Sequence, residues 1–161
     1  MLGRTHIIGG LTVAAATISY TNMDLVSGVA FAGLCTVGSL LPDIDHPNSI
    51  IGKSVPFISK PLSKIFGHRK AFHAPVTYAL IAYAMLYFGV SPLITWGLMF
   101  GVASHLFLDM LTKGGVPLLW PILPSKTKLT FARTGGGFEA FCGFMMVLGS
   151  VYCVVKYMGI I

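Results

Sequence analysis

Residues 92–111 read PLITWGLMFGVASHLFLDML, an apolar stretch with only two ionisable side chains. As an α-helix it would be about 30 Å long, which matches the hydrocarbon thickness of a bilayer. The ionisable residues, His105 and Asp109, are four positions apart, so a helix places them on the same side. This stretch therefore predicts a membrane helix that carries a polar pair near its C-terminal end.

Other apolar stretches support the same fold class. Charged residues make up 10% of the chain, whereas soluble domains contain roughly 25%. Several of the stretches are shorter than the roughly 20 residues that a perpendicular crossing needs. We therefore predict an all-α integral membrane helical bundle of about five transmembrane or membrane-embedded helices, forming a single domain over residues 1–161. The four further stretches are 7–20, 25–41, 74–89 and 138–159.

The basic residues indicate how the bundle is oriented. Ten of the eleven Lys and Arg residues lie near the N-terminus or in segments 42–73 and 112–136, whereas connections 20–24 and 89–92 contain none. Cytoplasmic loops of membrane proteins carry such an excess of Lys and Arg. We therefore predict a multi-pass protein with its N-terminus and both long segments in the cytoplasm. The net charge of +6 follows from this topology and gives no indication of nucleic-acid binding.

All five histidines and four of the five acidic residues lie in short polar clusters near the ends of the apolar stretches. Ionisable side chains are costly near hydrocarbon, and imidazole and carboxylate are common ligands of divalent metals. The predicted topology brings every cluster to the cytoplasmic face, so we predict a metal site there. Its candidate ligands are His6, Asp43, His46, His68, His73, His105 and Asp109.

Each cluster also has a structural explanation when it is taken alone. A buried hydrogen-bonded pair between helices would explain His105 and Asp109 equally well. A solvated polar turn would explain residues 42–47, PDIDHP. A cleavable signal peptide over residues 1–20 would remove His6. The convergence of all the clusters at one face, and not any single cluster, favours a metal site.

Three connections carry local signals. Asp24 precedes an apolar stretch and is predicted to cap its helix. Residues 50–66 alternate apolar and basic side chains, which is typical of a segment on an anionic lipid surface, with an ordinary cytoplasmic loop as the alternative. Residues 134–137, TGGG, precede the last helix and predict either a phosphate-binding backbone or a plain hinge.

Three residues are candidates for catalysis. Asp45 or Glu139 is predicted to be a general base, and Arg69 to bind an anionic substrate. Glu139 also suits the dipole at the start of a helix, and Arg69 also suits the cytoplasmic end of one, so each has a structural alternative. Mixed imidazole and carboxylate ligands favour Zn²⁺, with Mn²⁺ as the alternative, as one or two ions.

The order of these motifs resembles the YdjM family along essentially the whole chain. That family is described as metal-dependent hydrolases of the bacterial inner membrane. A more distant similarity to zinc-dependent phospholipase C and P1-type nucleases implies that the metal ligands include His6, Asp43, His68, His105 and Asp109. The motifs that carry the resemblance are residues 4–10 (RTHIIGG), 40–47 (LLPDIDHP), His68-Arg69 with His73, Ser104-His105 with Asp109 and Thr112, and Thr134-Gly135-Gly136 with Glu139.

Together, the residues and the resemblance predict a membrane-bound metal-dependent hydrolase. The expected substrate is a phosphoester or phospholipid-like molecule at the cytoplasmic face of the inner membrane, with membrane lipid as the partner. The alternative is a divalent-metal transporter or a metal-sensing membrane protein. Transport sites usually lie near the bilayer midplane, whereas these ligands gather at helix ends, which favours the hydrolase.

Overall fold

A computed structural model describes residues 1–66, 70–123, 125–130 and 132–161. Within these residues the chain forms seven α-helices and two 3-10 helices, so the prediction of an all-α bundle is confirmed. Each of the five predicted apolar stretches is helical. The α-helices are α1 (Gly3–Thr21), α2 (Leu25–Gly38), α3 (Ile50–Ser54), α4 (Pro56–Phe66), α5 (Pro75–Tyr87), α6 (Pro92–Met110) and α7 (Gly137–Tyr157), and the 3-10 helices are Leu41–Asp45 and Ala71–His73.

Three segments of the described chain are long and apolar enough to cross a membrane. They are Leu25–Asp45, which joins α2 to the first 3-10 helix, Pro92–Met110 and Gly137–Tyr157. The apolar helix α5 is shorter, with 13 residues, and α1 has 19 residues. The bundle thus combines three candidate spans with two neighbouring helices, in agreement with the predicted count of about five.

Helix α6 lies at the centre of the bundle, where it packs against α1, α2 and α5. Its approach to α2 is so close that only glycine fits at two positions. A Cβ atom on Gly101 would lie 2.1 Å from the Cys35 carbonyl oxygen, and one on Gly38 would lie 2.2 Å from the Leu98 carbonyl oxygen. Small residues allow helices to approach closely in lipid, and Gly38 and Gly101 have this role between α2 and α6.

The outward faces of the helices are apolar. Phe141 and Phe144 on α7 are 60% and 61% exposed, and Leu80 on α5 is 65% exposed. So many large apolar side chains exposed on the helices are unusual on a protein surrounded by water. This is the surface expected of a bundle that faces lipid.

Local sequence signals explain where several helices begin. The Asp24 carboxylate accepts hydrogen bonds from the backbone N–H groups of Val26 and Ser27, so the predicted cap of α2 is confirmed. Pro75 and Pro92 occupy the first turns of α5 and α6, where proline removes no helical hydrogen bond.

The segment between α2 and α5 folds onto the end of the bundle. The first 3-10 helix packs against α3, α4 and the second 3-10 helix, and it also contacts α6. Gly52 permits part of this packing, because a Cβ atom there would lie 2.1 Å from the His46 carbonyl oxygen. Both 3-10 helices therefore lie beside the C-terminal half of α6, where the polar clusters meet.

Candidate metal centre

Three imidazoles and two carboxylates converge at one end of the bundle. His6 comes from α1, Asp43 from the first 3-10 helix, His73 from the second, and His105 and Asp109 from α6. All of these side chains are at most 1% exposed, except that of Asp43, which is 17% exposed. The centre is therefore almost closed, and it opens on the side of Asp43.

Two overlapping groups of these residues could hold a metal ion. One is His6 with His105 and Asp109, and the other is Asp43 with His73 and His105. In each group the candidate ligand atoms lie within 4.8 Å of one another. Nitrogen ligands of tetrahedral zinc are roughly 3.3 Å apart, given bonds of about 2.0 Å, so small movements would complete either set. His105 belongs to both groups.

The orientation of the His105 ring is fixed by the backbone of the α2 end. Its Nδ1 atom lies 2.7 Å from the Ser39 carbonyl oxygen. A carbonyl only accepts hydrogen bonds, so Nδ1 donates and the lone pair of the neutral ring is on Nε2. Nε2 faces Asp109 Oδ2 at 3.8 Å and Asp43 Oδ1 at 3.9 Å, and no described residue gives this buried atom a hydrogen bond. A metal ion would satisfy Nε2, so the residues fit such an ion.

His73 lies between two aspartates of the first 3-10 helix. Its Nδ1 atom is 3.7 Å from Asp45 Oδ2, and its Nε2 atom is 3.7 Å from Asp43 Oδ1. Burial lowers the pKa of His73, but the two carboxylates outweigh burial and raise the pKa above its ordinary value. The surroundings of His73 thus favour positive charge, as a cation site requires. Asp45 lies behind His73, where a carboxylate typically orients a metal-binding imidazole.

His6 completes the centre from the side of α1. Its ring stacks on that of His105, with centroids 3.7 Å apart and planes 13° apart. His6 Nε2 is 3.4 Å from Asp109 Oδ1, so both stacked rings direct an Nε2 atom at Asp109. The amino group of Met1 also forms an ion pair with Asp109 Oδ1.

Comparison with known proteins identifies the family. The family model described as YdjM inner membrane protein matches residues 1–159. The chain belongs to the YdjM family. The resemblance predicted from the motifs is thereby confirmed, and the chain is a membrane protein of an inner-membrane family.

Two relatives of this YdjM-family chain differ in how much of it they cover. Uncharacterized protein YvsG of Bacillus subtilis (strain 168) is 35% identical over 152 residues, which are 94% of this chain and 93% of that protein. Inner membrane protein YdjM of Escherichia coli (strain K12) is 45% identical over 87 residues, which are 51% of this chain and 44% of that protein. No solved structure matches the chain.

Glu139 is buried near the centre of this YdjM-family chain, but its partners differ from those of Asp109. It is 4% exposed. Its Oε1 accepts hydrogen bonds from the Leu2 N–H group at 2.6 Å and the Thr5 hydroxyl at 2.5 Å, and its Oε2 accepts one from the Gly135 N–H group at 2.6 Å. Glu139 therefore joins the start of α7 to the start of α1, one residue from His6.

The other predicted site residues have different positions. His46 is half-buried after the first 3-10 helix, and neither metal-binding group found among the described residues includes it. His68 and Arg69 lie outside the described residues, so their predicted roles as ligand and anion-binding residue stay predictions. Of the seven predicted ligands, the structure brings together His6, Asp43, His73, His105 and Asp109.

Two partners of the centre were not predicted from the sequence. The Ser39 carbonyl oxygen orients His105, and a backbone carbonyl has no signal in the sequence because every residue has one. The Thr5 hydroxyl binds Glu139 across 134 positions. The sequence contained one signal for Thr5, because it is a polar residue next to His6 in a helix that is otherwise mostly apolar.

An apolar cavity of about 550 Å³ lies between α1, α6 and α7. Its wall includes Gly9, Ser104 and Leu108. Ser104 and Leu108 are the direct neighbours of His105 and Asp109, and Gly9 is one helical turn from His6. The cavity therefore borders the helical turns that carry three of the candidate ligands.

Proposed function

We propose that this protein is a membrane-bound metal-dependent hydrolase that acts on a phosphoester or phospholipid-like substrate. The observation that carries the proposal is the buried His105 ring, whose Nδ1 binds the Ser39 carbonyl while its Nε2 faces two carboxylates. Burying this lone pair opposite two carboxylates costs free energy unless a cation lies between them. We assign residues 1–161 to a single hydrolase domain, with the centre at the cytoplasmic face of the inner membrane.

The candidate ligands favour Zn²⁺, with Mn²⁺ as the second choice. Three imidazoles and two carboxylates form the set, and imidazole suits transition metals better than it suits Mg²⁺ or Ca²⁺. His105 is shared between the two groups, which accommodates one ion or two. The ligands in this assignment are His6, Asp43, His73, His105 and Asp109.

A divalent ion, when bound, supplies Lewis-acid activation of water and of a phosphoryl oxygen. The residues of the chain have separate tasks. Asp43 lines the open side of the centre, where substrate enters. Asp45 and Glu139 remain the two candidates for the general base: Asp45 lies beside His73 Nδ1, and Glu139 accepts three hydrogen bonds. Arg69 keeps its proposed role of binding the anionic group.

The location of the centre favours a substrate held in the membrane. The cavity between α1, α6 and α7 has an apolar wall and borders the turns that carry the ligands. An acyl or isoprenoid chain would bury its apolar surface there, while the phosphoester lies at the polar end of the bundle. Membrane lipid is therefore the proposed partner.

Metal analysis followed by an activity screen tests the proposal. Protein purified in detergent without chelator is expected to contain zinc or manganese and to hydrolyse a member of a panel of phospholipids, isoprenoid phosphates and nucleotides. A chelator should abolish the activity, and Zn²⁺ or Mn²⁺ should restore it. Metal-loaded protein that hydrolyses no member of the panel would contradict the assignment as a hydrolase.

A divalent-metal transporter or sensor is the second candidate, and one observation favours it. Four of the five candidate ligands are at most 1% exposed, which is more closed than an open active site requires. Ion flux in proteoliposomes separates the two functions. Flux without hydrolysis supports transport, and hydrolysis without flux supports the enzyme.

A further inference from the structure

Helix α4 (Pro56–Phe66) buries a polar residue and exposes apolar ones, which is the reverse of a helix on the surface of a water-soluble domain. Its inward side carries Ser59, which is 0% exposed. Its outward side carries Phe57, Ile58 and Ile65, which are 92%, 51% and 73% exposed. A helix on a soluble domain directs its apolar stripe at the core and its polar face at water. The apolar stripe of α4 therefore requires a covering that is not water.

Two lysines border this stripe. Lys60 and Lys64 are exposed and four positions apart, so they lie along the same side of the helix. The sequence of α4, PFISKPLSKIF, contains no acidic residue. An apolar stripe bordered by lysines is the pattern of a helix that lies in the headgroup region of a membrane, with the lysine ammonium groups among the lipid phosphates.

The position of α4 in the fold places it close to a bilayer surface. It packs against the first 3-10 helix, which is the end of the candidate span Leu25–Asp45. It precedes α5 by a short connection. An element that packs against the end of a membrane span lies within reach of the lipid headgroups.

Charge decides between lipid and a second copy of the chain as the covering. Two α4 helices that paired through their apolar stripes would bring the lysines of both copies together, and like charges in an interface oppose association. An anionic bilayer surface instead attracts each lysine. The lysines therefore favour anionic lipid.

We propose that α4 docks in the headgroup region of an anionic bilayer. Phe57, Ile58 and Ile65 insert below the phosphates, and Lys60 and Lys64 bind the phosphate oxygens. This surface is separate from the metal centre and does not depend on hydrolase activity. It gives the first 3-10 helix, which carries Asp43, a direct contact with a membrane-bound element.

Quenching by brominated lipid tests the insertion of α4. The intact chain carries the substitutions Trp96→Phe and Trp120→Phe, and a single tryptophan is introduced by Phe57→Trp. The protein is placed in nanodiscs made from equal amounts of phosphatidylcholine and phosphatidylglycerol, with brominated acyl chains. We expect strong quenching for Phe57→Trp and weak quenching for Asn48→Trp, an exposed control in a polar turn. Equal, weak quenching at both positions would overturn the proposal.

Neutralising the lysines tests the charge of the partner. In the Phe57→Trp background, Lys60→Gln with Lys64→Gln should lower the ratio of membrane-docked to undocked α4, and with it the quenching. Each lysine near an anionic surface contributes a factor of about five to this ratio. The matched control, Lys126→Gln with Lys128→Gln, removes the same charge from an exposed segment and should leave quenching unchanged. Quenching that is insensitive to the loss of Lys60 and Lys64 would overturn the proposal. A wild-type dimer in mass photometry that Phe57→Asp converts to a monomer would also overturn it.

Discussion

Asp109 and Glu139 are both buried carboxylates at the same end of the bundle, yet their surroundings differ. Asp109, in the last turn of α6, lies within 3.4 to 3.8 Å of imidazole nitrogens from three histidines. Glu139, in the first turn of α7, accepts hydrogen bonds from two backbone N–H groups and one hydroxyl. Burial alone therefore does not distinguish a metal ligand from a structural carboxylate. The nature of the partners does.

The difference follows from what each partner can donate. A backbone N–H group always donates, so Glu139 is satisfied as an anion without any further ion. A neutral imidazole has one lone pair and one N–H group, and His105 has already used its N–H group on Ser39. The buried lone pair on His105 Nε2 is therefore left without a positive partner among the described residues. The predictions below test this contrast.

The largest effect is expected for His105→Ala. The substitution removes the residue that both ligand groups share. The loss of metal affinity should therefore exceed the 10- to 100-fold loss that is typical when a residue that only orients a ligand is removed. We expect zinc affinity to fall by more than about 100-fold, measured by competition with a chromogenic chelator. His46→Ala is the matched control, because His46 is outside both groups and should leave the affinity unchanged. Equal affinity of the two variants would contradict the assigned centre.

A smaller effect on metal binding is expected for Asp45→Asn. Asp45 lies beside His73 Nδ1 and outside both ligand groups, so zinc affinity should fall by no more than about 10- to 100-fold. If Asp45 is the base, metal-saturated Asp45→Asn should lose turnover. Asp43→Asn, which removes a member of a ligand group, should lose both metal and turnover. A metal-saturated Asp45→Asn variant with full turnover would exclude Asp45 as the base.

For Glu139→Gln we expect a loss of stability with little loss of metal. The glutamine amide keeps one oxygen acceptor and replaces the other with a donor, which leaves the Gly135 or the Leu2 N–H group without its partner. The free energy of unfolding should fall by about 1–3 kcal/mol, measured by denaturation in detergent micelles. Zinc affinity should change by less than about tenfold. A loss of zinc as large as that of His105→Ala would mean that the contrast with Asp109 is wrong.

The smallest effect is expected at Asp24, an exposed carboxylate that caps α2. The hydrogen bonds with Ser27 lower the pKa of Asp24 from its ordinary value of 3.8. Because the folded-state pKa is the lower one, the cap stabilises α2 fully above pH 3.8, and this stabilisation is lost as the pH falls through the folded-state pKa. Asp24→Ala should therefore lower the melting temperature slightly at pH 7 and leave the metal content unchanged. A melting-temperature difference that persists below the folded-state pKa would contradict a role through the charged cap.

Periodicity and spacing made part of this structure predictable. The apolar stretches predicted α1, α2, α5, α6 and α7, because a bilayer imposes their length and polarity. The spacing of four between His105 and Asp109 predicted their common side, because helix geometry is fixed. In both cases the information is local, so the sequence carries it.

Other features depend on tertiary packing and have no local signal. No pattern distinguishes His73, which enters the centre, from His46, which does not. That difference arises because two 3-10 helices fold back on α6. Glu139 was predicted as a base or a dipole-matched residue, and its hydrogen bonds with Leu2 and Thr5 join residues more than 130 positions apart. Such contacts become visible only when the helices are assembled.

The metal content of the wild-type protein tests the central claim most directly. The protein is purified in detergent without chelator and measured by inductively coupled plasma mass spectrometry, beside His105→Ala prepared in the same way. We predict about one to two equivalents of zinc or manganese in the wild type, since sites with these ligands retain their ion, and less than about a tenth of an equivalent in the variant. Wild-type protein that is folded, yet contains no more transition metal than His105→Ala, would contradict the account.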